Sequence, residues 1–127
     1  MEECTGLGTV TRRSAIYDTA ALGPAQRRFA NAACIVDSEY DPQNLLAGLK
    51  RLERDFGRRS GQRWGDRVLD CDIILWSGGT FSAPELSIPH PEFHRRQFVL
   101  EPACAIAPQW RDPLTGFSLR HLLHRLR

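Results

Sequence analysis

The 127-residue sequence predicts an α+β fold held in one domain. Three observations carry that reading: two β-branched runs separated by a Gly-Pro loop, a leucine stripe at helical spacing directly after them, and an apolar run broken only by two aspartates. The order is β-β-α-β with a closing helix. Domains commonly hold ~100–150 residues, so this length is enough for one hydrophobic core without staples. A hydrophobic content of 42%, with three Trp and six Phe, argues against disorder. No apolar run approaches the ~18–20 residues of a membrane span, and MEECTGLGTV lacks the pattern of a signal peptide. A soluble, cytoplasmic protein is the expectation.

The elements follow in order. Thr9 to Tyr17 (TVTRRSAIY) is rich in β-branched residues and reads as a strand. A loop with Gly23-Pro24 and the basic pair Arg27-Arg28 leads into Phe29 to Tyr40, a second strand, so the two form an antiparallel hairpin with a long connection. Asp41 then caps a helix with Pro42 at its first position. Leu45, Leu46, Leu49, Leu52 and Phe56 line one helical face, and Gly57 is placed to end the helix beside Arg58 and Arg59. Arg58–Arg67 is an arginine-rich loop, and Val68 to Trp76 (VLDCDIILW) reads as a strand. Ser77–Ser87, with Gly78-Gly79, reads as turn and loop. The prolines of Ile88-Pro89-His90-Pro91 exclude central helix or strand, and a short helix is expected over residues 92–100. Asp112–Gly116 is a turn, after which Ser118 caps a last helix.

Seventeen basic residues, sixteen of them Arg, face fifteen acids, and a net charge of +2 is too small to imply nucleic acid. The cysteines Cys4, Cys34, Cys71 and Cys104 are widely spaced without a CxxC pair, and three sit in apolar surroundings. They read as small buried hydrophobes, not as a disulfide framework or zinc site.

Chemistry concentrates at Asp70-Cys71-Asp72. On a strand, side chains at i and i+2 share a face, so two carboxylates emerge side by side between apolar neighbours. Like charges this close are costly unless something positive lies between them. Two readings stand: a solvated face paired with nearby arginines, or a Mg²⁺ site, since Mg²⁺ takes one or two carboxylates and completes its shell with water and phosphate oxygens. Arg58, Arg59, Arg63 and Arg67 precede the acids, and His90, His94, Arg95 and Arg96 follow. Arginine forks match phosphate oxygens, which makes phosphoryl transfer the sharper reading. There is no Walker A loop, no GxGxxG and no GxSxG elbow.

Arg63-Trp64-Gly65-Asp66-Arg67-Val68-Leu69-Asp70-Cys71-Asp72-Ile73-Ile74-Leu75 resembles the R-W-G-P-R-x-L-D-L-D-I-L-L signature of the 6-hydroxymethyl-7,8-dihydropterin pyrophosphokinase (HPPK) family. The likeness extends through Tyr17-Asp18-Thr19, Leu22-Gly23-Pro24, Phe29–Ala33, Phe56-Gly57-Arg58, Ile88–Pro91, Phe98-Val99-Leu100 and Ile106-Ala107-Pro108. It implies a ferredoxin-like α+β fold, mainly antiparallel sheet with helices packed on it. The implied activity is transfer of pyrophosphate from ATP to the pterin hydroxymethyl group with release of AMP, in folate biosynthesis.

By the same resemblance, Asp70 and Asp72 hold two Mg²⁺ ions on the ATP phosphates. Phe29 and Phe98 sandwich the pterin, Asn31 bonds its edge, and Thr19 and Leu22 belong to a pterin-lining loop. Arg58 and Arg67 face phosphates as catalytic groups, and Glu53, Trp64, His90 and Arg96 belong to the ATP side. The resemblance further implies that the family's opening strand, its Gly-Ser-Asn turn and its first long helix have no counterpart here, leaving a sheet edge that a second copy could cover. Smaller departures are Asp66 for Pro, Lys50 for Gln and Cys71 for Leu. Two other classes remain: a non-catalytic pterin-, nucleotide- or partner-binding protein, and a nucleic-acid-binding domain using Arg58–Arg67 with Trp64. The second is opposed by Asp66, Asp70 and Asp72, whose charges repel phosphate.

Overall fold

The computed structural model describes residues 2–3, 6–20, 28–60 and 69–127, and for Glu2, Glu3, Thr19, Ala20, Arg28, Phe29, Arg59 and Ser60 it describes the backbone alone. One antiparallel hairpin organises the first part. Its outer half pairs β2 (Thr9–Arg13) with β5 (Cys34–Asp37), and the short β1 (Glu2–Glu3) adds to β2, giving the order β1-β2-β5. Its inner half pairs β3 (Tyr17–Ala20) with β4 (Arg28–Asn31), in register from Tyr17↔Asn31 to Ala20↔Arg28.

The hairpin is the one expected, but each of its two long strands is broken in the middle. From Arg13 to Tyr17 the chain takes four steps where its partner takes three, from Cys34 to Asn31, so an extra residue must be absorbed. Ser14 absorbs it. Its N–H donates to Ala33 O (2.8 Å), and its hydroxyl accepts the Ala33 N–H (2.9 Å). A side chain thus takes over where the ladder fails. A second irregularity lies between Val10 and Arg12.

α1 (Pro42–Ser60) begins as its sequence dictates. Asp41 Oδ1 accepts the Asn44 N–H (2.8 Å), and the Asp41 carbonyl accepts the Leu45 N–H (2.9 Å). Leu45, Leu46, Leu49 and Leu52 are half-buried, whereas Phe56 at the end of the stripe is exposed. Gly57 does not end the helix, which runs on to Ser60. An interior glycine costs only about 1 kcal/mol relative to alanine, too little to stop a helix that continues to make hydrogen bonds. Leu7 lies against Gly48 in the space a Cβ would occupy, which brings the β1–β2 connection onto α1.

The strand expected over Val68–Trp76 is absent from its described part, Leu69–Leu75; only Trp76 makes a bridge, to Gly79. Composition favours a strand there, but a strand requires a ladder partner. The backbone of this segment instead receives a Glu53 carboxylate at Cys71 and a His90 N–H at Ile74 O (3.0 Å). Conversely, the expected loop at Ser77–Ser87 contains β6 (Phe81–Ala83), which pairs antiparallel with β7 (Leu86–Ile88).

A 3-10 turn (Phe93–Arg95) precedes α2 (Gln97–Ile106), which outruns the short helix expected and keeps Pro102 inside it. In the turn that follows, buried Asp112 accepts the Leu114 N–H (3.0 Å) and the Thr115 hydroxyl (2.9 Å). Ser118 then caps α3 (Leu119–Leu126), accepting the His121 N–H (3.1 Å).

The core joins Phe93, Leu100, Ile106, Ala107, Leu119, Leu122 and Leu123, with Ile35, Ile74 and Leu75 packed against it. The architecture is α+β, with antiparallel pairs covered by helices. Cys34, expected to be buried, is exposed, and Cys71 and Cys104 are half-buried. No helix among the described residues is long and apolar enough to cross a membrane. Leu100 is 0% exposed at the centre of the core. Leu100→Ala is therefore expected to lower unfolding stability by about 2–5 kcal/mol, read as an earlier midpoint in urea with an unchanged slope.

Candidate functional site

The acidic centre is assembled by α1 and the segment after the arginine-rich loop. Glu53, on the fourth turn of α1, accepts the backbone N–H of Cys71. That bond holds the aspartate segment against the helix, with Asp70 on one side of Cys71 and Asp72 on the other. Lys50, one turn before Glu53, lies with Nζ 3.3 Å from Glu53 Oε2 and 3.9 Å from Asp70 Oδ1. Asp70 and Asp72 are both exposed. The Asp70 carboxyl is held above its ordinary value, first by desolvation, then by the negative charges of Asp72 and Glu53. Hydrogen bonding to Glu53 acts in the same direction, and Lys50 opposes it.

Next to this centre is a cleft of about 280 Å³ whose walls include Leu46, Lys50, Asp72, Ile73, Leu86 and His90. Gln43 Nε2 donates to Glu85 Oε1 (2.6 Å) and ties the start of α1 to the β6–β7 turn. His90 is fixed at three points: its N–H reaches Ile74 O, its carbonyl accepts the Phe93 N–H, and its Nδ1 accepts the Glu92 N–H (3.3 Å). With Nδ1 occupied as an acceptor, the neutral ring keeps its proton on Nε2 and has one donor to offer.

A second group lies where α2 packs on β3 and β4. Phe98 is 45% exposed on α2, so it is not a core residue, and the Arg96 guanidinium carbon lies 5.8 Å from its ring centroid. Asn31 is half-buried on β4, opposite Tyr17, and Thr19 is the register partner of Phe29.

The expected site residues therefore fall into three sets. Asp72 and His90 line the cleft, with Glu53 and Asp70 in the acidic centre beside it; Asn31, Arg96 and Phe98 belong to the α2–β4 side. Arg58 stands apart, its exposed guanidinium paired with Asp55 one turn back on α1 and not with either aspartate. Leu22, Trp64 and Arg67 lie outside the described residues, as do the side chains of Thr19 and Phe29. Lys50 is the residue the sequence reading passed over as a site. Its signal was its singularity: it is the chain's one lysine, three residues before Glu53.

Among the described residues no group of three or more His, Cys, Asp or Glu side chains is arranged to hold a metal ion. The donor set is a pair of carboxylates, which suits Mg²⁺, an ion that leaves most of its shell to water and phosphate. A structural zinc, which needs a closed set of four ligands, usually Cys and His, does not fit a pair of carboxylates.

Comparison with known proteins places the chain in a family. The family model described as 7,8-dihydro-6-hydroxymethylpterin-pyrophosphokinase (HPPK) matches residues 1–108. A Synechocystis protein named 2-amino-4-hydroxy-6-hydroxymethyldihydropteridine pyrophosphokinase is 36% identical over 117 residues, 92% of this chain and 60% of its own length. A Pseudomonas aeruginosa protein of the same name is 40% identical over 111 residues, 87% of this chain and 68% of its own. The mitochondrial folate synthesis bifunctional protein of Arabidopsis thaliana is 44% identical over 94 residues, 73% of this chain and 17% of its own. The chain thus spans only part of the length of these relatives.

The raised Asp70 carboxyl makes a prediction about stability. A raised value means that the folded state disfavours the ionised form, so the penalty is present at neutral pH and disappears as pH falls through the folded value toward the ordinary 3.8. Asp70→Asn is expected to raise the melting temperature at pH 7, with the gap closing by about pH 3 in a series of thermal melts.

Proposed function

Because the chain belongs to the 6-hydroxymethyl-7,8-dihydropterin pyrophosphokinase family, we propose that it transfers pyrophosphate from ATP to the hydroxymethyl oxygen of the dihydropterin and releases AMP. Residues 1–127 act as one domain in this reading, in the cytoplasm and within folate biosynthesis, with ATP and the pterin as the small-molecule partners. A second copy of the chain is the partner expected at an open sheet edge. The observation that carries the proposal is the meeting of Glu53, Asp70 and Asp72 carboxyl groups beside a cleft that His90 also lines. Like charges this close are costly, and a cation between them removes that cost.

Asp70 and Asp72 would hold Mg²⁺. When bound, the ion neutralises charge on the phosphate oxygens and orients them. The remaining work belongs to the chain. Glu53 fixes the position of the aspartates through Cys71 N–H. The Nε2–H of His90 supplies a hydrogen bond to a phosphate oxygen on the cleft side. Arg67 and Arg58 supply guanidinium groups to the same phosphates; for Arg58 this requires exchanging Asp55 for the ligand, an inexpensive change for an exposed pair.

On the other side, the exposed Phe98 ring and Phe29 enclose the flat pterin. The Asn31 amide, both donor and acceptor, reads the pterin edge, and Thr19 and Leu22 are assigned to the same ligand. Arg96 and Trp64 belong to the ATP side, and Arg96 already lies over Phe98, where nucleotide and pterin would adjoin. The pterin hydroxyl oxygen attacks the β-phosphorus in line. One O–P bond forms as the bond between the β-phosphorus and the α,β-bridging oxygen breaks, AMP leaves, and Asp72 is the carboxylate that would take the hydroxyl proton.

The deciding experiment supplies ATP, Mg²⁺ and the hydroxymethyl dihydropterin and measures AMP. AMP that depends on all three supports the proposal, whereas pterin binding without AMP points to a non-catalytic relative. Asp70→Ala and Asp72→Ala are each expected to reduce turnover by at least about a hundredfold while leaving the protein folded by circular dichroism. Turnover close to the parent's in both variants would remove the aspartates from the mechanism.

A further inference from the structure

Among the described residues the acidic centre contains one positive group, and it is covalently part of the chain. Lys50 Nζ sits 3.3 Å from Glu53 Oε2 and 3.9 Å from Asp70 Oδ1, and its side chain shares the cleft wall with Asp72. The charges facing it from other elements are those of Asp70 and Asp72 on the aspartate segment; Glu85 on the β6–β7 turn and His90 line the same cleft. Two further facts make the contact specific. Glu53 is the carboxylate that also accepts Cys71 N–H, so the ammonium touches the group that positions the aspartates. The Lys50 side chain is 42% exposed on a flexible stem, so it can leave without breaking packing.

We infer that Lys50 is a tethered counter-cation, a positioning residue whose ammonium balances Glu53 and Asp70 in the metal-free protein and yields its place when a divalent cation arrives. This deepens the metal-dependent reading of the site and rests on it. The physical reason is competition for one negative potential. An ammonium at about 4 Å already satisfies part of what the carboxylates would offer to Mg²⁺, so each ion bound must first displace it. The lysine therefore keeps the centre from closing on a cation before substrate phosphates are present to complete the shell. Exposed pairs of this kind are modest and are screened by salt, so the effect is graded and not a block.

The test measures Mg²⁺ alone binding to the full chain by calorimetry, without nucleotide, at low ionic strength. Lys50→Gln, nearly the same length without the charge, is expected to bind Mg²⁺ roughly two- to fivefold more tightly than the parent. Lys50→Arg, which keeps the charge, is expected to stay near the parent, and raising the salt concentration should narrow the difference between the Gln variant and the parent. Equal or weaker binding in Lys50→Gln, in a chain whose Mg²⁺ binding is lost in Asp70→Asn, overturns the role of Lys50 and leaves the metal reading standing. Mg²⁺ binding that Asp70→Asn and Asp72→Asn leave unchanged overturns both.

Discussion

Glu53 accepts the backbone N–H of Cys71, and the rest of the site depends on that one bond. The segment from Leu69 to Leu75 carries the chain's most chemically loaded residues but has no strand ladder among the described residues. A backbone without a ladder is positioned by whatever holds its ends. Here one hold is the Glu53 carboxylate, and the other is the His90 N–H on Ile74 O. Beyond that point Ile74 and Leu75 enter the core, which gives the segment an apolar anchor. The acids thus project from a strip fastened to a helix on one side and to a hydrophobic cluster on the other. Both fasteners are themselves cleft residues or their immediate neighbours, so the geometry of the site and the path of the backbone are one problem.

α2 solves a related problem for the aromatic side. Leu100 is fully buried, whereas Phe98, two positions earlier and on a different helical face, stays open. Rigidity gained from the core is therefore transmitted to an exposed ring within a single helix turn. A flat ligand stacked on Phe98 would meet a surface that the core already holds still, which lowers the ordering cost of binding. The two halves of the site have different mechanical origins: one is pinned by hydrogen bonds, the other by packing.

Much of this was legible in the sequence, and the misses share a cause. The Asp41-Pro42 start of α1 and the Ser118 start of α3 were readable because a cap is a local interaction, complete within four residues. Asp70 and Asp72 were read as a pair from their spacing on a strand, and that strand is absent from Leu69–Leu75. The strand expected over Val68–Trp76 failed because a strand is completed by a partner far away in sequence, which composition does not report. The β6–β7 hairpin did leave a trace: Phe81 and Ala83, then Leu86 and Ile88, alternate with polar positions. Three-residue strands are too short for that alternation to outweigh neighbouring Gly, Ser and Pro. Gly57 misled because a residue that favours helix ends does not compel them. Lys50 was missed because its partners, apart from Glu53, lie across a turn of tertiary structure.

The core raises a different matter. The family model covers residues 1–108, and Leu119, Leu122 and Leu123, beyond that stretch, supply three of the seven side chains of the described core. They reach it through a turn whose buried carboxylate, Asp112, is fully bonded within the turn itself. A chimaera that exchanged only residues 1–108 with a relative would inherit the acids and aromatics but separate them from three members of the hydrophobic cluster. The tail after Pro108 is the keel of the molecule: it carries none of the expected site residues, and the parts that do rest on a core it helps to build.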